Sequence, residues 1–215
     1  MKMFNRARLG LLLVFLFFSS CRSAYYSAWE QLGVYKRDLL KKSVVAARDD
    51  QKEASEQFKD ALTRLKELYG FNGGDLEATY NSLKRDYDLS SEKVADVKHR
   101  ISEMESVAAD LFAEWEKEIK EISSASLKAS SRTQLRETRR RYDSLRDALK
   151  RAEQSMEPVL SRFKDQALYL KHNLNAQAIA SLKGEAANIQ GEISKLITEI
   201  NASIAQADSF IQALP

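Results

Sequence analysis

Side chains able to do covalent or metal chemistry are few here. The chain has one cysteine, Cys21, and two histidines, His99 and His172, in 215 residues. A lone cysteine closes no intramolecular disulfide, so its thiol is left for modification or for no chemistry at all. Metal sites in helical bundles are built from Glu-x-x-His pairs, and no such pair occurs. His99 falls between two apolar seam positions, where a solvated face is expected, and His172 sits beside Lys171 and Asn173 at an interruption of the helical pattern. Gly73-Gly74 lies between two helical patterns with no strand before it, so it is a turn and not a phosphate loop. Carboxylates are plentiful, but on solvated helices their spacing alone defines no acid/base pair. The consecutive Arg139, Arg140 and Arg141 are the candidates for contact with an anion or an acidic partner, although three successive arginines cannot all face one neighbouring helix. These residues predict no catalytic group, no metal and no cofactor, and therefore not an enzyme.

The amino terminus reads as an export signal. Lys2, Arg6 and Arg8 precede the ten-residue apolar run Leu9 to Phe18, too short to span a bilayer comfortably, and Ser19-Ser20 lead into Cys21. The segment resembles a bacterial lipoprotein signal. That resemblance implies cleavage before Cys21, a thioether-linked lipid on its sulfur, and a short tether over residues 21–26. Ordinary cleavage or an uncleaved anchor are the other fates of such a segment. Arg22, where an Asp would retain a lipoprotein at the inner membrane, favours the outer one. The chain has 34 basic and 31 acidic residues, and the signal holds three of the basic ones and none of the acidic. The remainder is neutral, which argues against nucleic acid as a partner.

From residue 27 to 215 the pattern predicts a single all-α domain. Two prolines and seven glycines leave long helices unbroken. Steps of four and three define four apolar seams. The first, within a helix from about Ser27 to Tyr69, is Leu40, Val44, Ala47, Gln51, Ala54, Phe58, Ala61, Leu65 and Leu68. The second runs from Leu76 through Leu83, Ser90, Val97, Met104, Ala108, Leu111, Trp115 and Glu118 to Ile122, and the third from Leu135 to Leu174. The fourth runs from Ile179 through Ile193, Ile200, Ser203 and Phe210 to Leu214. A narrow seam sustained over this length is stable only against partner helices. Gly70 to Asp75 supplies a glycine-rich hairpin turn with Asp75 as cap, and the serine-rich stretch 123–131 a second reversal, with Ser130 or Ser131 capping the third helix. Pro158 predicts a kink near Met156, and Asn175 caps the fourth helix. The expected architecture is an elongated antiparallel bundle of four long helices with coiled-coil-like seams. A continuous helix through residue 175 would give a three-helix rod instead. Pro158 and His172 to Asn175 are also the places where a hinge would lie.

Residues 132–151 carry eight basic and three acidic side chains, while 101–122 carry seven acidic and two basic. Folded as an antiparallel hairpin, the two stretches are expected to pair along the flanks of their seams, which fixes register more than it stabilises.

The stretches YSAWEQLGVYKRDLL (26–40), FNGGDLE (71–77), LRETRRRYDSL (135–145) and DQALYLKHNLNAQAIASLKGE (165–185) resemble a family of uncharacterised proteobacterial lipoproteins, a domain of unknown function. The resemblance implies an exported, all-helical protein and transfers no functional residue. The functional expectation is a membrane-tethered structural or adaptor lipoprotein of the cell envelope, held by lipid on Cys21 and working through helix faces on a protein partner or on further copies of itself. The alternative is a membrane-surface or lipid-handling protein using the wide apolar stripe Ile189, Ile193, Leu196, Ile197, Ile200, Ile204, Phe210 and Ile211.

Overall fold

The structure is a computed structural model, and it describes residues 35–69, 76–173 and 175–214. The signal segment, Cys21 and the turn from Gly70 to Asp75 lie outside the described residues. Among the described residues four helices follow one another: α1 (Lys36–Tyr69), α2 (Leu76–Glu121), α3 (Ala125–His172) and α4 (Ala176–Ala213). Each packs on the next, and α4 closes the ring against α1. This is an antiparallel four-helix bundle, and α3 alone, at 48 residues, is about 70 Å long at 1.5 Å per residue. The break after His172 excludes the three-helix rod. Asn173 closes α3 by donating its backbone N–H to the Leu170 carbonyl, and the Asn175 side chain accepts from Ala178 N at 2.9 Å.

The described seam residues of α1, α3 and α4 line the core almost without exception. Leu40, Val44, Ala47, Ala54 and Phe58 have no exposed surface, nor do Leu145, Leu149, Met156, Phe163, Ile193, Leu196 and Ile200. Phe58 and Phe163 stand on diagonally opposite helices and meet across the bundle axis with ring centroids 6.2 Å apart. Two polar seam positions, Gln51 and Ser203, are partnered. Gln51 Nε2 donates to the Leu149 carbonyl at 3.0 Å, and the buried Ser203 hydroxyl donates to Gln51 Oε1. These bonds tie α1 to both α3 and α4 at one level, the role a buried polar residue plays in setting register. Ile197, Ile204 and Ile211, the residues that widen the α4 stripe, pack against the core, so the bundle itself takes up that stripe.

Two expectations need correction. In α2 the seam leaves the expected positions after Ala108: Phe112 and Ile119 are buried, while Leu111 is half-buried and Glu118 exposed. A helix of 3.6 residues per turn drifts against a 3.5-residue repeat, and one extra residue in the step from Ala108 to Phe112 resets it. The third helix is capped by Ser124, whose Oγ accepts from Leu127 N, and not by Ser130 or Ser131. The earlier serine stops the turn sooner, and Ser131 instead accepts from Trp115 Nε1 at 2.9 Å. Pro158, the expected place of a kink, is exposed and lies within α3 with helix on both sides.

Candidate functional site

The end of the bundle where α1 and α3 begin and α2 and α4 finish gathers most of the candidate chemistry. It is also where the chain enters from residue 34. Register between α2 and α3 sorts the three arginines into three environments. Arg139 is spent inside the hairpin: its guanidinium pairs with Glu116 at 2.7 Å and lies 5.1 Å from the centre of the Phe112 ring. Arg141 turns to the other flank, 3.8 Å from Glu137 on its own helix. Arg140 is exposed and, among the described residues, meets no carboxylate. The triplet is therefore not one site.

Arg140 belongs to a different set, spaced by four and not consecutive. Lys128, Arg132, Arg136 and Arg140 stack on one face of α3 because residues four apart are neighbours on a helix surface. Arg132, Arg136, Arg139 and Arg140, with Lys120 of α2, line an open groove of about 700 Å³ between the two helices. Its acids are engaged: Glu116 by Arg139, and Asp143 and Asp147 by Arg146 at 3.1 and 2.8 Å. Sequence reasoning overlooked this stripe because the run of three arginines is the louder signal. The spacing of four was there to be read.

On the inner side of the same end, all four helices converge on a cavity of about 470 Å³. Glu114, Glu118 and Glu137 face Arg37 and Arg141 there, around Leu111, Trp115 and Leu214. Lys36 of α1 pairs with Glu114. One end thus has a basic outer flank and a mouth of balanced charge. The expected pairing of α2 with α3 is realised by Arg139–Glu116 and by Lys150–Glu105 at 2.7 Å, while Arg146 turns to acids of its own helix. Among the described residues no group of three His, Cys, Asp or Glu side chains could hold a metal ion. His99 is solvated and 3.2 Å from Glu103, and His172 lies exposed in the last turn of α3.

Beneath the groove, Tyr142 packs edge-on to Phe112 and Phe210, with centroids 5.5 and 6.1 Å away. Its hydroxyl is buried without a hydrogen-bond partner among the described residues. Burial first, and then the nearby Glu105, push its ionisation well above the ordinary value of 10.0. The neutral phenol is thus the form the fold favours. That contribution is present below pH 10 and is lost as pH rises above it, because the unfolded chain then releases a proton the folded one keeps. Tyr142→Phe is expected to melt at the same temperature as the parent or slightly higher at neutral pH, since it removes an unpartnered buried hydroxyl. It is also expected to lose less stability between pH 9 and 11 (about one titrating group's worth). Parallel thermal melts at the two pH values check this, and an unchanged alkaline slope would contradict it.

An antiparallel four-helix bundle with an uncompensated basic flank at its chain-entry end is the class that these observations define. The chain belongs to the family described as protein of unknown function, DUF2959, whose model matches residues 25–214. No curated protein and no solved structure matches the chain.

Proposed function

We propose that the protein is a lipid-tethered helical strut of the bacterial envelope, a structural or adaptor lipoprotein held by acylated Cys21, at the outer membrane in preference to the inner. The observation that supports it most is where the chain enters the bundle. Tyr35 and Leu214 lie at one end, so an anchor at Cys21 attaches there and the opposite end, with the α3–α4 link at residues 173–175, projects away by the length of the helices. The apolar run before Cys21, and the likeness of the chain to proteobacterial lipoproteins, supply the anchor chemistry. Among the described residues no helix is long and apolar enough to cross a membrane. A bundle closed on all four sides suits transmission of position better than turnover of a substrate, because its apolar seams are already spent on one another.

The test is intact mass spectrometry of the protein recovered from separated inner and outer membranes, beside Cys21→Ala. The expected parent begins at Cys21 and carries the mass of two or three acyl chains. The variant should lose that mass and the cleavage that precedes it. An unmodified chain free in the periplasm would sink the tether.

A further inference from the structure

Lys128, Arg132, Arg136 and Arg140 run up one face of α3, with Lys120 across the groove. Among the described residues no carboxylate pairs with Lys120, Arg132, Arg136 or Arg140, whereas the carboxylates lining the groove are held by Arg139 and Arg146. Lys128 donates to the Lys120 carbonyl at 3.1 Å, which draws the two helix ends together and concentrates the charge. Lys128 also stands in the first turn of α3, which has no acidic residue. Its charge is favoured instead by the carbonyl end of α2, which that bond caps.

We propose that this flank of α2 and α3 docks on a bilayer surface carrying anionic headgroups, so that the bundle leans along its α2–α3 edge and does not stand upright. The inference rests on the tethered reading. The fourteen residues from Cys21 to Tyr35 span at most about 50 Å, which keeps the flank within reach of the membrane it is anchored to. An acidic protein would satisfy the same cations, but the tether keeps a membrane surface within their reach.

The experiment uses the protein recovered with its lipid and carrying Ser144→Cys, an exposed position four residues beyond Arg140, labelled with a fluorophore. It is reconstituted into phosphatidylcholine vesicles with and without phosphatidylglycerol, and quenching by a headgroup-attached quencher is read after flotation. Quenching is expected to be stronger with phosphatidylglycerol and to fall with added salt. It should vanish in the Arg132→Gln, Arg136→Gln, Arg140→Gln variant, each lost charge weakening docking about fivefold. Circular dichroism shows whether that variant is folded, and the salt titration of the protein with its arginines intact tests the same point without it. Failure to float with either vesicle overturns the tether and this proposal together. Flotation with both and equal quenching on both overturns the docking face alone. Salt-sensitive binding of polyglutamate through the stripe, without any response to phosphatidylglycerol, assigns the flank to an acidic protein and overturns the lipid.

Discussion

Phe163→Ala is expected to cost about 3 to 5 kcal/mol and to lower the melting temperature by about 10 °C. The ring has no exposed surface and meets Phe58 from the diagonally opposite helix. Both sides of the gap left by truncation are walled by helices that are themselves held by neighbours, so the site cannot collapse around a smaller side chain. Because Phe58 and Phe163 bridge the axis, removing one strands the other. The pair of truncations should therefore cost less than the sum of the singles. Urea unfolding followed by circular dichroism measures it, with Leu127→Ala, at an exposed position, as a reference expected to change stability by less than about 0.5 kcal/mol. A loss below about 1 kcal/mol for Phe163→Ala would mean that the diagonal contact is not closely packed.

The second large effect is asymmetric. Asp86 keeps only 5% of its side-chain surface, whereas its partner Arg64, 2.6 Å away, keeps 39%. The hydrogen bond that Arg64 donates to Asp86 is the main reason that its guanidinium holds its proton still more firmly than usual, against the burial that opposes it. Arg64→Ala leaves a carboxylate shut in without its counter-charge and is expected to cost about 2 to 4 kcal/mol. Asp86→Ala leaves an arginine free to swing into water and should cost about 1 kcal/mol or less. Chemical denaturation of the two variants, and of Arg64→Ala combined with Asp86→Leu, decides the matter. The combination should recover most of the loss, because an apolar pair of similar volume has no buried charge to satisfy. Equal costs for the two single changes would show that burial is not what separates them.

Asp86 also marks where reading the sequence stops. It sits one residue before the apolar seam position Tyr87 and looks like any solvated flank carboxylate. Only alignment of α2 with α1 puts it opposite Arg64 and out of water. The basic stripe is a parallel case. Its spacing of four is written in the sequence, but its availability is not, because whether a cation is spent depends on which carboxylates the neighbouring helix brings alongside. Arg139 and Arg140 are adjacent and chemically identical, yet one is locked to Glu116 and stacked on Phe112 while the other faces solvent. The reset of the α2 seam at Phe112 shows the same limit within one helix, since a drift of a fraction of a residue per heptad becomes visible only when the partner decides which side chain it will bury.

The sequence by itself determined the helical class, nearly all the described residues of three of the four seams, the break at Asn173 to Asn175 and, through its charge balance, a neutral body. Each of these follows from local periodicity, capping or composition, where the deciding neighbours are within about four residues along the chain. Tertiary structure alone decided the closure of α4 on α1, the burial of Asp86, the partition of Arg139, Arg140 and Arg141 into three environments, and the gathering of Lys120 with the α3 stripe at the chain-entry end. Those depend on register between helices, which is set by many weak contacts summed along about 70 Å of seam, so no short stretch of the chain contains the information.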